Sequence, residues 1–161
     1  MARLLELDQH IGGDPPTVAR RFAGDPQGWL PAPARWRGES AWTVALEAGP
    51  VTRTVVCRVG PTWSVGGERW RSLVWTPAPG RQDVLPVHRA LPALTGELGL
   101  VEHEGDCSLL LRATYRPPAG ALGRGLDALA LHQLARHTAV RFLAAVGEAL
   151  TATGARTPLD A

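Results

Sequence analysis

Three side chains of this sequence stand out, by type and position, as able to assist a proton transfer or hold an anion in a pocket. They are Tyr115, the only tyrosine of the chain, and Arg53 and Arg71, each inside a strand-like run. An arginine turned inward favours a carboxylate, enolate or phenolate, whereas one turned outward is a solvated charge, the commoner outcome for this residue type. Spacing alone leaves both orientations open. Tyr115 stands just before Pro117, where its ring can pack against apolar neighbours while its hydroxyl meets a ligand or water.

The remaining reactive residues do not combine into a site. His132 and His137 are five residues apart on a helix-like segment, about 140° of rotation, and cannot hold one metal between them. Cys57 and Cys107 have neither metal-ligand spacing nor the density of a disulfide scaffold, and read as buried free thiols in a reducing compartment. Ser64 has Gly66 after it but Thr62 before it, so the nucleophile elbow is absent, and no triad is visible. Gly120, Gly123 and Gly125 lack the dinucleotide spacing and a parallel strand-helix-strand unit, and read as a backbone need at a corner. His103, between Glu102 and Glu104, belongs to a solvated hairpin tip. No catalytic residue is assigned, and no metal, nucleotide or other cofactor is expected.

These side chains must be positioned by one domain, expected to span residues 1–154 with a tail at 155–161. A chain of 161 residues with 45% hydrophobic content supports one real core. No apolar run approaches the roughly 20 residues that cross a bilayer, so no integral membrane segment is expected and the reading is cytoplasmic. The net charge of +2 rests on arginine, because the chain has no lysine. Its arginines do not gather into a stripe with interleaved aromatics, which argues against nucleic acid as a partner.

Along the chain, Leu5, Leu7, Gln9 and Ile11 alternate with polar residues as in a strand with one wet face. Asp14 is placed to cap a short helix opened by Pro15-Pro16, with Val18, Ala19 and Phe22 as its apolar face. Gly24 interrupts it, Asp25-Pro26 starts a second turn, and Trp29-Leu30-Pro31 ends that turn as a hydrophobic plug. Strands are expected at Ala41–Glu47, Val51–Val59, Thr62–Val65 and Glu68–Thr76, with turns at Gly49-Pro50, Gly60-Pro61 and Gly66-Gly67. After a looser stretch from Pro77 to Pro92, Glu97–His103 and Cys107–Tyr115 form the final hairpin, with Leu109, Leu111 and Tyr115 facing inward. A helix from Leu126 to Ala152 closes the chain, its stripe including Leu131, Leu134, Ala135, Thr138, Phe142 and Val146. Gly147 is its weak point. The resulting architecture is α+β: one curved antiparallel sheet of six or seven strands wrapped round a long helix, with a hollow between them.

All six tryptophans lie between Trp29 and Trp75. Trp36, Trp42, Trp63, Trp70 and Trp75 are expected to fill the concave side and rim of the sheet, some of them lining a pocket. The last strand leads directly into the helix, so its inward face must look at the helix stripe. The expected ligand-binding residues are therefore Trp42, Arg53, Arg71, Trp75, Leu109, Leu111, Tyr115, Leu134 and Thr138.

The opening GDPPTVARRFAGDPQGWLP resembles the start of the helix-grip superfamily of START-like proteins, also called SRPBCC or polyketide-cyclase-like, in which a strand leads into two short helices with a tryptophan near their end. The tail LLLRATYRPPAGALGRGLDALALHQLARHTAVRFLAAVGEAL resembles the last strand and long helix of small bacterial members. The resemblance implies a helix-grip fold and a deep apolar cavity for lipids, polyketides, hormones or similar ligands. The turn from Glu47 to Val51 departs from the glycine-rich loop of the plant allergen branch. Three classes follow: a module that binds a hydrophobic small molecule, a cofactor-independent cyclase or aromatase using the same cavity, and a protein-interaction domain whose core is filled. The sequence does not choose between monomer and homodimer.

Overall fold

A computed structural model describes residues 2–49, 51–78, 91–116 and 128–153. The glycines at 120, 123 and 125, the first two residues of the expected helix, most of the loose stretch before Pro92 and the expected tail lie outside them. The elements run β1 (Arg3–Ile11), α1 (Pro15–Ala23), a single 3-10 turn (Pro26–Gly28), β2 (Arg35–Gly38), β3 (Ala41–Ala48), β4 (Val51–Val65), β5 (Glu68–Pro77), β6 (Ala93–Glu102), β7 (Cys107–Arg116) and α2 (Ala128–Thr151). The strands form one seven-stranded antiparallel sheet in the order β1-β7-β6-β5-β4-β3-β2, so the first and last strands are neighbours.

Local chemistry explains the entry into the sheet. The Asp14 carboxylate accepts from the Thr17 amide at 3.1 Å and from the Thr17 hydroxyl at 2.6 Å, satisfying one of the free donors of the first helical turn. Pro15 and Pro16 follow where a missing N–H costs nothing. Asp25 repeats the device for the 3-10 turn, accepting from the Gln27 amide at 2.9 Å. Trp29, Leu30 and Pro31 are then all buried, which makes them the plug their composition suggested.

Two expectations are corrected. Gly60-Pro61 is no turn: β4 runs unbroken from Val51 to Val65, with a register shift between Val59 and Thr62 where the proline, lacking a donor, sits in a bulge. A strand at Arg35–Gly38 was not anticipated, because four residues with a Trp between two Arg carry no readable alternation. The β4–β5 hairpin is closed by Gly66 and Gly67, both with positive φ (56° and 85°), as a two-residue turn matching the sheet twist requires.

Helix α2 crosses the concave face and meets β1 and β7 on one side and β3 on the other, so the sheet curls round it. Arg3 Nη1 donates to the Ala128 carbonyl at its start, and Gly147 lies against Ile11 near its end. A Cβ on Gly147 would stand 2.7 Å from Ile11 Cγ2. The residue that looked like a flaw in the helix is thus the one that lets helix and first strand meet. Arg21 donates to the carbonyls of Leu150 and Ala152, both at 2.8 Å, tying α1 to the last turn of α2.

Candidate functional site

The register of the sheet sets one continuous row of residues across the concave face. Trp42 pairs with Cys57, Cys57 with Trp75, Trp75 with Leu94 and Leu94 with Tyr115. Residues paired across antiparallel strands share a face, so these five side chains form a belt under α2, and all are buried. Trp75 is held by two contacts. Its Nε1 donates to the Pro92 carbonyl at 3.2 Å, and its ring meets Phe142 of α2 at 5.1 Å in an edge-on arrangement. Burial pushes the Cys57 thiol up to about 12, so the middle of the belt is a neutral, apolar group.

At one end of the belt, the Tyr115 hydroxyl lies 2.8 Å from Nδ1 of His132, with the two rings 5.8 Å apart. Tyr115 is wholly buried and His132 half-buried. In the sequence His132 reads only as half of an unworkable metal pair. The signal that would have found it is its spacing to Ala135, Ala139 and Phe142, which puts it on the buried stripe of α2.

At the other end, the Trp42 indole Nε1 is buried and has no hydrogen-bond partner among the described residues. A buried N–H left unpaired costs about 1–3 kcal/mol and calls for an explanation such as an acceptor from outside the chain. Trp29 Nε1 is in the same condition inside the plug, where its ring stacks on Phe22 at 5.7 Å.

The expected lining residues separate into groups. Trp42, Trp75 and Tyr115 share the belt, and Leu134 and Thr138 lie on α2 two turns and one turn before Phe142, which meets Trp75, the Thr138 hydroxyl donating to the Leu134 carbonyl at 2.8 Å. Leu109 and Leu111 are wholly buried on the same concave face but further along it, Leu109 beneath Gly147 and Leu111 in the row of Leu98 and Arg71. Arg53 shares the face of Val55 and Cys57, opposite Leu46, and is half-buried, with neither a hydrogen bond nor an ion pair among the described residues. Its orientation is inward.

Arg71 also points inward, against the outward orientation that its charge favoured, and its donors are spent on the backbone. Nε donates to the Gly60 carbonyl at the β4 bulge, and Nη1 to the carbonyls of Phe22 and Gly24, all at 2.8 Å. Its guanidinium also lies 5.7 Å from the Trp29 ring. Burial lowers its pKa and Asp25 opposes the shift. Arg71 fastens α1 over the sheet, where the acceptors are carbonyls at the end of a helix.

Trp63 and Trp70 depart from the concave side as well. They pair with each other, with Trp70 opposite Gly99, on the convex face, because Arg71, Leu73 and Trp75 fix the other parity of β5. Trp70 is held there by Glu68 at 3.1 Å and by the Arg112 guanidinium 5.0 Å from its ring.

A cleft of about 200 Å³ opens beside the belt, between Pro31 and Ala32, Leu46 and Glu47 of β3, and Arg141, Phe142 and Ala145 of α2. Arg141 and Glu47 close over it as an ion pair at 2.6 Å. None of the expected lining residues borders this cleft. Phe142 does, and it is the wall between the cleft and Trp75. Among the described residues no helix is long and apolar enough to cross a membrane.

No protein-family model matches the chain, and no curated protein sequence is similar to it. Solved structures are similar. The Zhui aromatase/cyclase from Streptomyces sp. R1128 superposes with a TM-score of 0.59 at 13% identity, over 94% of this chain and 92% of that one. Ara h 8.0201 gives 0.56 at 11% identity over 93% and 98%. A STAR-related lipid transfer protein from Xanthomonas axonopodis gives 0.55 at 13% identity over 92% and 85%. Sequence identity this low carries the architecture and nothing of the chemistry. The curled seven-stranded sheet, the two short helical turns after its first strand and the long helix in its grip give this chain the helix-grip fold of the START-like proteins.

Proposed function

We propose that the protein binds a hydrophobic small molecule of lipid or polyketide type between the belt and α2. The observation that carries this reading is Trp42: an apolar wall ends in a buried indole N–H with nothing to donate to. A ligand carbonyl or hydroxyl supplies that acceptor, and Tyr115, Trp75, Leu134 and Thr138 form the rest of the wall. The inward, unpaired Arg53 suits an acidic or enolic end. At about 200 Å³ the open cleft is smaller than typical ligand pockets of about 300–1,000 Å³, and Phe142 is the side chain whose movement joins it to the belt. The structural neighbours include an aromatase/cyclase and a lipid transfer protein, which supports a hydrophobic ligand without choosing its identity.

The test is titration of the full chain with an uncharged apolar dye, read by quenching of tryptophan emission. Leu134→Trp, at a half-buried position, is expected to weaken binding at least tenfold by filling the space, and Phe142→Ala to strengthen it. A dye that does not bind, or binds all three proteins alike, rejects the site and leaves a filled core of the interaction type.

The second reading is a cyclase or aromatase working in the same hollow, favoured by Tyr115 and His132. A phenol hydrogen-bonded to an imidazole passes a proton to or from a bound carbonyl compound without a cofactor. Turnover of a poly-β-keto thioester that is lost in Tyr115→Phe, with dye binding intact, would establish it.

A further inference from the structure

Strand β2 is one of the two edge strands of the sheet, and its sequence is Arg35-Trp36-Arg37-Gly38. Trp36 is 67% exposed, the largest apolar side chain so displayed among the described residues. It pairs with Trp42 and so stands on the concave face, at the outer lip of the sheet, beside the indole whose N–H lacks a partner among the described residues. Arg35 pairs with Thr43, and Arg37 Nη1 donates to the Thr43 hydroxyl at 3.4 Å, which places both guanidinium groups on the convex side of this edge, flanking Trp36 on its concave side. Arg58, exposed on β4 opposite Ala41, adds a third. Glu39 is the only acid between Gln27 and Leu46.

From this corner we infer that β2 is a docking edge for an anionic lipid bilayer. The charges are complementary to lipid phosphates, and tryptophan is the side chain that settles at the boundary between headgroups and hydrocarbon. Pairing with a second copy of the chain is disfavoured by the same residues. An antiparallel pair of β2 strands centred on Trp36 sets Arg35 directly opposite the other copy's Arg37, and like charges there repel. A nucleic acid is served less well, because a four-residue strand spans about 13 Å and tracks few phosphates. Docked in this way, the lip faces hydrocarbon, and an apolar cargo passes between bilayer and belt without crossing water. The edge itself needs no cargo, so its test is independent of the ligand reading.

The experiment is co-sedimentation of the full chain, without added ligand, with vesicles of phosphatidylcholine alone and of an equal mixture of phosphatidylcholine and phosphatidylglycerol. Binding is expected to the mixed vesicles, with a blue shift of tryptophan emission, and to weaken as salt is raised. The Arg35→Ser, Arg37→Ser double variant is expected to bind about thirtyfold more weakly. Trp36→Ser is expected to lose the blue shift and about tenfold in affinity. All three side chains are exposed, so circular dichroism and the melting temperature should match the parent and certify the fold. Equal binding to neutral vesicles, no binding to either, or variants that bind like the parent overturn the proposal. So does tighter binding of a nucleic-acid oligomer that the same substitutions abolish.

Discussion

The hydroxyl of Tyr115 sits 2.8 Å from Nδ1 of His132, and this one bond joins the end of the last strand to the second turn of the closing helix. Tyr115 is 1% exposed, so its oxygen has no access to bulk water. The two truncations should therefore differ. Tyr115→Phe removes both the donor and its need, and should cost about 1 kcal/mol. His132→Ala strands a buried hydroxyl and should cost about 1–3 kcal/mol. Urea denaturation of both and of the double variant checks this, with the double less destabilised than His132→Ala because no hydroxyl is left stranded.

Arg71 answers three carbonyls with one guanidinium. Arg71→Met should lower stability by about 3 kcal/mol or more, since the carbonyls of Phe22, Gly24 and Gly60 lose a charged donor. Arg71→Lys should recover little, because an ammonium cannot match the fork that spans the helix end and the bulge. The denaturant midpoint is the readout.

The Asp14 cap carries a pH signature. Its hydrogen bonds from the Thr17 hydroxyl and amide hold its pKa below the ordinary aspartate range. A depressed folded pKa means stability present above the unfolded pKa and lost as pH falls through the folded one. Asp14→Ala should thus be less stable than the parent at neutral pH, and the gap should narrow in acid below the usual aspartate range. Asp14→Asn, which keeps an acceptor, should lie between them at neutral pH and show a flatter acid limb. Thermal melts across the acid range decide it.

Gly147 should defy helix propensity. Alanine gains up to about 1 kcal/mol over glycine within an exposed helix, yet here its methyl meets Ile11 Cγ2 at 2.7 Å. Overpacking of this kind costs about 1–3 kcal/mol, so Gly147→Ala should be net destabilising. Ile11→Val leaves Cγ2 in place, whereas Ile11→Ala removes it and should relieve the clash, a coupling that a double-mutant cycle measures.

The parts of the fold that are read from the chain are those set by short-range period. The alternation in Leu5 to Ile11 and Cys107 to Tyr115, and the stripe through Leu131 and Val146, each report a face from neighbours a few residues away. What escaped is set by partners far along the chain. Gly60-Pro61 reads as a turn because nothing local shows β5 continuing alongside it. Arg71 reads as a surface charge because its acceptors lie 47 and 49 residues earlier, on α1. The belt is the intermediate case: alternation gives the parity of Trp42 and Tyr115, but only the register shows them in one row.

The two arginine fastenings of α1 make the molecule mechanically lopsided. Arg71 rivets the helix to the bulge of β4 and Arg21 rivets it to the last turn of α2. At the opposite end of α2 stand the Tyr115–His132 bond and a longer one, 3.4 Å, from Arg3 Nη1 to the Ala128 carbonyl. Local opening follows the least-fastened segment, so backbone amides of the first turns of α2 should exchange with deuterium well before those of α1 and of the last turns of α2. A helix fastened in this lopsided way is expected to part from the sheet at its first turns without global unfolding, and the exchange rate of those amides measures how often it does.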